Sequence, residues 1–268
     1  MEQPRSRPPK ARLSSVANSI RVLTSFSGEE DELGITTLAT RLRLAKSTVH
    51  RLAATLTGEG FLEQNSETGK YRLGMALFEL GALVRRRMDV ANEARPKLRE
   101  LLEKTGETVQ LGIIDHFSVL YVYEMESRHA IRMAAAVGAR APLHCTAVGK
   151  VLLAHQPADY VKQVVAQGLK AHTANSVTKR EALLSMLAEV ADREHAIDDE
   201  ESEEGLRAVA APVRNHTGNV IAALGVAAPV QRMTKKDMQT CVPSVIATAA
   251  AVSVRLGYVP SRARVLAE

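Results

Sequence analysis

The sequence predicts an α+β protein with two domains, and three observations support this prediction. The chain has 268 residues and is 46% hydrophobic, so it has enough apolar side chains for the cores of two modest domains. Apolar residues recur at helical spacing as far as Lys104. From Thr108 they alternate as in strands, and helical and strand-like segments then follow one another. We therefore expect a mostly helical N-terminal domain and a larger domain with an antiparallel sheet.

Composition excludes several classes of protein. No run of apolar residues is long enough to cross a membrane, and the two cysteines, Cys145 and Cys241, have no spacing typical of a disulfide framework or a zinc site. We therefore expect a cytoplasmic protein. The net charge of +5 is compatible with a polyanionic partner but does not identify one. Residues 1–13 are rich in proline and basic side chains, which predicts a disordered basic arm.

Residues 14–74 are predicted to form a winged helix-turn-helix. The pattern from Ser14 to Ser27 fits a first helix, and a second should begin at Thr36 as its N-cap. A third helix should start near Ala45 and end at Gly58 and Gly60. Helical spacing puts the following residues of the third helix on one apolar side: Ala45, Val49, Leu52, Ala53 and Leu56.

The opposite side of the third helix is cationic and polar, as a helix lying in the major groove of DNA requires. Two alternating segments, Phe61–Gln64 and Lys70–Leu73, flank a polar turn and predict a hairpin wing tipped with Lys70 and Arg72. We expect double-stranded DNA as a partner. The residues expected to contact it are Thr36, Lys46, Ser47, Thr48, His50, Arg51, Lys70 and Arg72.

Residues 75–89 are predicted to form a linker helix and residues 90–260 the second domain. That domain should begin with a helix over Val90–Lys104, in which Pro96 marks a kink or a second start. The predicted strands are Thr108–Ile114, Ser118–Glu124, Ala130–Met133, Gly205–Arg214 and Asn219–Ala227. The predicted helices are Thr146–His155, Tyr160–Val165, Lys179–His195 and Thr234–Leu256.

Two segments of the second domain could carry chemistry. Small residues join a strand to a helix over Gly138–Ala154, so backbone N–H groups could approach a small polar ligand. The acidic segment, residues 198–204, is expected to be a mostly solvated loop before a pair of strands. No metal or other cofactor is expected, because the histidines have no regular spacing with these acids: His144, His195 and His216.

Three segments in the same order resemble the IclR family of bacterial transcription regulators. They are LAKSTVHRLAATLTGEGFLEQ with YRLG, PLHCTAVGKVLLA, and DDEESEEGLRAVAAPVRNHTGNVIAALGVAAP. The resemblance spans roughly residues 14–256. It implies a winged helix, a linker helix and a GAF-like effector-binding domain, assembled as dimers or dimers of dimers on operators. It also implies a ligand-responsive repressor of a catabolic operon, not an enzyme.

The resemblance also implies where a small-molecule effector would bind. Carried onto this sequence, the family positions are Met133, Gly138, Ala139, Leu143, Asp198, Ala208, Gly225 and Ala227. Members that bind small oxo-acids have a cysteine and serines where Ala208, Gly225 and Ala227 stand here. Because these smaller residues leave more apolar space, we expect an effector larger or more apolar than glyoxylate, such as an aromatic or alicyclic catabolite or a sugar derivative.

Two other functions are compatible with parts of the sequence. Cys145 lies beside His144 near a predicted helix start, which could lower the pKa of a thiol and make it a nucleophile. Adjacent residues point in different directions, however, and no orienting partner is apparent. The second alternative is a constitutive DNA-binding protein whose second domain only oligomerises. If a ligand changes the electrophoretic mobility of the protein–DNA complex, the protein is a ligand-responsive regulator and not a constitutive DNA-binding protein.

Overall fold

The computed structural model describes residues 14–27, 30–86, 89–130 and 137–259, and the chain divides into two compact units after Arg87. The predicted basic arm, residues 1–13, lies outside the described residues. The first unit contains α1 (Ser14–Leu23), α2 (Ile35–Leu42), α3 (Lys46–Gly58), the hairpin β1 (Leu62–Gln64) and β2 (Tyr71–Leu73), and α4 (Met75–Arg86). Helices followed by a hairpin agree with the predicted winged helix-turn-helix.

The first unit is held together by a small apolar core. Leu38, Val49 and Ala53 are fully buried, and Leu62 and Tyr71 of the hairpin pack against them. Helical spacing and alternation in the sequence thus place apolar side chains from the helices and the hairpin on one common core.

The N-cap of helix α2 lies two residues before the predicted position. Gly34 is the N-cap, and Thr36 lies in the first turn, so the prediction of Thr36 as N-cap is wrong. The reason lies in an isolated bridge, in which Leu33 and Tyr71 exchange two backbone hydrogen bonds of 2.9 Å. Because the bridge holds Leu33 extended, Gly34 is the next residue that can open the helix. Ala45 was also misplaced, since it is the exposed N-cap of α3.

The second unit consists of a six-stranded antiparallel sheet between two layers of helices. Its elements are α5 (Asp89–Thr105), β3 (Thr108–Asp115), β4 (Ser118–Met125), β5 (Arg140–Pro142), α6 (Ala147–Ala154), α7 (Ala158–Ala166), α8 (Arg180–Arg193), β6 (Ala196–Asp199), β7 (Leu206–Arg214), β8 (Val220–Pro229) and α9 (Lys235–Arg255). The strand order is β5-β4-β3-β8-β7-β6. Helices and an antiparallel sheet confirm the predicted α+β class.

Each face of this sheet has its own core. Val109, Leu224 and Val209 point toward α5 and α9, whereas Ala223 and Ala210 point toward α6 and the α8 side. The alternation arises because successive side chains of a strand lie on opposite faces. Small residues are concentrated on the α6 face, so this helix can approach the sheet closely.

Two details of the predicted elements differ from the structure. Helix α5 continues through Pro96 without a second start, since the buried residues Ala94 and Leu98 hold both halves on one core. The short strands β5 and β6 were not predicted, because their pairing with β4 and β7 defines them. The predicted strand Ala130–Met133 falls largely outside the described residues. None of the described helices has the length and apolar character needed to span a membrane.

Candidate functional site

Helix α3 presents a cationic outer face in the first unit. Val49 and Ala53 are fully buried, whereas Lys46, His50 and Arg51 are exposed. Within the described part of the chain, these three side chains form no hydrogen bond or ion pair, so their donors remain available to a ligand. Ser47 is exposed beside them and Thr48 is half-buried. Since α3 contains no acidic residue, nothing on its surface would repel a phosphate.

The wing, formed by β1, β2 and the turn over residues 65–70, carries the other predicted cations. Lys70 is exposed at the base of the turn, and its carbonyl accepts a hydrogen bond from the Asn65 N–H. Arg72 lies within β2 and not at the tip, and it forms an ion pair of 2.8 Å with Glu63 across the hairpin. Both partners are exposed, so this pair stabilises the hairpin only weakly. Thr36 is exposed on α2.

The second unit contains a cavity of about 360 Å³ between the start of α6 and the small residues of the sheet. Five of the predicted effector-binding residues line it: Ala139, Asp198, Ala208, Gly225 and Ala227. Gly138 and Leu143 are not among the lining residues. Gly138 lies in an exposed turn with φ of +92°, and the Leu143 side chain is buried in the core. Met133 lies outside the described residues.

The polar groups of the cavity come mostly from positions that the sequence analysis did not select. They are Gln110, Tyr121, Arg140, Thr146, His172, Ser202 and Glu203. Gln110 lies opposite Gly225 in the β3–β8 ladder, on the sheet face that turns toward α6. The alternation of β3 could have identified it, because every second residue of the strand lies on that face. His172 follows α7 in an irregular segment, for which no local pattern gave a signal.

Thr146 fixes the start of α6 at the cavity wall. Its Oγ1 accepts a hydrogen bond of 3.0 Å from the Gly149 N–H and donates one of 2.7 Å to the Pro142 carbonyl. Gly149 allows this helix to lie close to the preceding chain, since a Cβ there would come within 2.6 Å of the Leu143 Cα. The first turn of α6, including Ala147 and Val148, therefore lines the cavity.

Asp198 lies in β6 and not in a loop, and its side chain is only 1% exposed. One carboxylate oxygen accepts a hydrogen bond of 2.8 Å from the Glu201 N–H, and the other accepts one from the Ser202 hydroxyl. Burial nevertheless raises the pKa of Asp198, although these hydrogen bonds and nearby Lys150 oppose the change. These hydrogen bonds hold the turn that follows β6, and Asp198 and Ser202 both line the cavity.

The expectation that the acidic segment is mostly solvated is wrong. Lys150, which is 2% exposed, pairs with Glu201, while Arg207 bonds to Asp199 at 2.6 Å and Glu200 at 3.4 Å. Burial raises the pKa of Glu201 even with the Lys150 ammonium beside it. Of the six carboxylates, only Glu203 and Glu204 are exposed. Three of the others are less exposed because they pair with Lys150 of α6 or Arg207 of β7.

Glu124 adds a titrating group beside the cavity, since it bonds to the lining residue Gln110. Burial, with Glu126 adding repulsion, raises the pKa of Glu124 to about 7. A folded-state pKa above the unfolded value means that the folded protein loses stability as the pH rises between the two values. We therefore expect Glu124→Gln to raise the urea midpoint at pH 8 and to leave it nearly unchanged at pH 4. An equal change at both pH values would contradict this assignment.

Cys145 is fully buried, which decides against its use as a nucleophile in the unliganded chain. Burial raises the pKa of its thiol to about 12. The thiol therefore stays protonated at neutral pH, and a protonated thiol is a poor nucleophile. The proximity of a helix start, which could have lowered this pKa, is outweighed by the loss of solvation.

Comparisons with known proteins define the class of this chain. The C-terminal domain of the bacterial transcriptional regulator IclR matches residues 82–254, and the IclR helix-turn-helix domain matches residues 15–66. The chain therefore belongs to the IclR family of bacterial transcriptional regulators, as its sequence segments predicted. The match to both domains confirms that the chain is a helix-turn-helix regulator.

Individual relatives are similar over nearly their whole length. The HTH-type transcriptional regulator KdgR of Escherichia coli strain K12 is 39% identical over 248 residues, which cover 92% of this chain and 94% of KdgR. XynR of the same strain is 36% identical over 92% of this chain and 98% of its own. An IclR homologue of Microbacterium hydrocarbonoxydans, solved with 4-hydroxybenzoate, has a TM-score of 0.79 and 28% identity, covering 90% of this chain and 98% of its own. These relatives carry names of regulators and not of enzymes.

Proposed function

We propose that this regulator represses a catabolic operon and that a small metabolite bound in the cavity changes its affinity for operator DNA. The cavity is the observation that carries the proposal, because small apolar residues together with convergent polar groups are typical of a small-molecule site. A constitutive DNA-binding protein would have no need for it. The metabolite acts by binding more tightly to one of two states of the protein, whose DNA affinities differ.

The DNA-binding part of the proposal rests on α3 and the wing. Lys46, His50 and Arg51 form an exposed row without protein partners in the described chain, and Lys70 adds a cation on the wing. We assign Arg51 to base contacts, because its guanidinium can bond to the two acceptors of a guanine. Lys46, at the first turn of α3, is assigned to a phosphate, which the free N–H groups of a helix start also favour.

We further propose that the protein binds its operator as a homodimer or a dimer of dimers. Large apolar side chains are exposed along the described part of α4: Met75, Phe78, Leu80 and Leu83. Several large apolar side chains exposed on one helix are typical of a protein interface. Two copies of α3 related by a two-fold axis would then meet two half-sites of the operator.

The lining of the cavity favours a metabolite larger than a two-carbon acid. Ala208, Gly225 and Ala227 present no polar side chain, so recognition depends on the polar lining residues, including Gln110 and Thr146. A volume of about 360 Å³ accommodates an aromatic or alicyclic acid or a sugar acid. The 4-hydroxybenzoate bound by the Microbacterium homologue is of this size class.

The test fills the cavity with a larger side chain. We expect Ala208→Leu to abolish the change in DNA mobility caused by a metabolite, because Ala208 lines the cavity and is 9% exposed there. The measurement is a gel-mobility titration with DNA flanking the gene, using glyoxylate, 4-hydroxybenzoate and gluconate as probes. Gly225 is a less suitable position for this substitution. A Cβ there would lie 3.0 Å from the Val148 side chain, so any larger residue would displace α6 as well as fill the cavity.

Ala182→Leu is the matched control, because Ala182 is exposed on α8 and does not line the cavity. This variant should respond to the metabolite as the parent does. The proposal fails if Ala208→Leu folds, binds DNA and responds to the same metabolite with unchanged affinity. If the parent responds to glyoxylate and to neither of the other probes, the proposed size of the metabolite is wrong. The location of the site would then still be tested by the response of the Ala208→Leu variant to glyoxylate.

A further inference from the structure

Three side chains with metal-binding atoms meet beside the cavity. His144 and Cys145 precede α6, and His172 lies in the segment between α7 and α8. One ligand atom from each side chain lies within 4.8 Å of the other two. Among the described residues, this is the group of histidine, cysteine and acidic side chains close enough to hold an ion. His172 is far from His144 and Cys145 in the sequence, so the spacing of the histidines gave no indication of this group.

The surroundings of His144 are those of a metal ligand. Its Nε2 lies 3.0 Å from the carbonyl oxygen of Lys170. A carbonyl oxygen only accepts hydrogen bonds, so this contact places the proton on Nε2 and leaves the lone pair on Nδ1. Metal-binding histidines commonly donate their other N–H to a backbone carbonyl in the same way, which fixes the orientation of the ring.

The segment that carries His172 is attached to the cavity wall. The Ser176 hydroxyl accepts hydrogen bonds from the His172 and Thr173 N–H groups and donates one of 2.6 Å to the Glu201 carbonyl. Thr173 Oγ1 donates a second bond of 2.6 Å to the Glu200 carbonyl. These bonds hold the backbone of the segment, whereas the His172 side chain is exposed and can change its rotamer.

The local charge also favours a cation. The charged groups around Cys145 are the Asp198 and Glu201 carboxylates and the Lys150 ammonium, which pairs with Glu201. Two carboxylates against one ammonium give the surroundings a net negative charge when all three are ionised. A divalent ion would also lower the pKa of the Cys145 thiol, since a coordinating thiol gives up its proton.

We propose that His144, Cys145 and His172 bind one divalent ion of the zinc class at the edge of the cavity. Two imidazole nitrogens and one thiolate are ligands that zinc prefers. With bonds of about 2.0–2.3 Å, tetrahedral ligand atoms lie roughly 3.5 Å apart, so atoms that lie within 4.8 Å of one another need to close in by at most about 1.3 Å. Rotation of the exposed His172 side chain supplies most of this movement. His172 and Thr146 both line the cavity, so the proposed site lies at its edge.

The test uses Co²⁺ as a spectroscopic substitute for zinc on the full-length, reduced protein. We expect one Co²⁺ per chain, visible bands typical of tetrahedral coordination, and a thiolate-to-cobalt charge-transfer band in the near ultraviolet. Added Zn²⁺ should remove all of these bands. His172→Ala should weaken the affinity by roughly tenfold or more, because it removes a direct ligand. Cys145→Ser should abolish the charge-transfer band.

The chain offers a matched control for each ligand type. Cys241→Ser removes the other cysteine, which lies on α9, and His216→Ala removes an exposed histidine between β7 and β8. Both controls should bind Co²⁺ as the parent does. The proposal is overturned if the reduced parent shows no charge-transfer band, if the band disappears with Cys241→Ser, or if His172→Ala leaves the affinity unchanged. Since His172 is exposed, its variant remains informative even if Cys145→Ser does not fold.

Discussion

Replacing Lys150 with methionine is expected to destabilise the second unit by about 3–5 kcal/mol, the usual cost of removing one partner from a buried ion pair. The Lys150 side chain is 2% exposed and its partner Glu201 is 13% exposed. Methionine preserves the apolar stem of lysine and removes the charge. The Glu201 carboxylate would then be left buried without a cation, and its Oε2 already has no hydrogen-bond partner within the described parts of the chain. Urea unfolding, followed by circular dichroism, measures the loss.

A double variant separates the charge effect from a packing effect. Lys150→Met combined with Glu201→Gln removes both charges, so we expect it to recover a large part of the stability lost in the single variant. If the double variant is as unstable as the sum of the two single variants, the two side chains are not coupled. An unchanged urea midpoint in Lys150→Met alone would show that the pair does not stabilise the fold.

Arg51→Ala is expected to weaken operator binding by about 1–3 kcal/mol, or roughly 5- to 150-fold, and to relax sequence preference at the contacted base pair. The protein should remain folded, because Arg51 lies opposite Val49 and Ala53, which attach α3 to the core. Fluorescence anisotropy with operator and altered operator sequences measures both effects. Arg99→Ala is the charge-matched control, since Arg99 is exposed on α5 in the second unit.

Lys46→Ala should behave differently, because we assign Lys46 to a phosphate. Its loss should weaken binding to all sequences alike and reduce the salt dependence of binding by about one unit. Equal operator affinity in the parent and in both the Arg51 and Lys46 variants would remove α3 as the recognition helix.

Most regular elements could be predicted from the sequence because their apolar periodicity reflects burial on a single core. The bounds of α8 and β7, for example, lie within two residues of the predicted ones. Strand β6 could not be predicted in this way. It contains Asp198 and Asp199, and adjacent carboxylates in a sequence are typical of a solvated loop. In the fold, Asp198 accepts a hydrogen bond from the Ser202 hydroxyl and Asp199 accepts one from Arg207. Although both partners are close in sequence, they reach these carboxylates only when the chain turns back after β6 and pairs with it through β7.

The candidate site was only partly predictable for a similar reason. Resemblance to the family identified Ala208 and Gly225, which lie on the cavity wall. Gln110 was missed, although the alternation of β3 contains the signal. His172 could not have been found from any local pattern, because its position beside His144 depends on a hydrogen bond to Lys170 in an irregular segment.

The central pairing of the sheet has a consequence for synthesis of the protein. Thr108, near the start of the second unit, pairs with Ala227, near its end. Strand β3 can pair with β8 only after β8 has been synthesised. The ladder that carries Gln110 and Gly225 therefore cannot form until most of the unit has left the ribosome. The helix-turn-helix, whose contacts lie within residues 14–73, can fold much earlier. A nascent chain therefore acquires its DNA-binding surface before it acquires the cavity that we propose controls it.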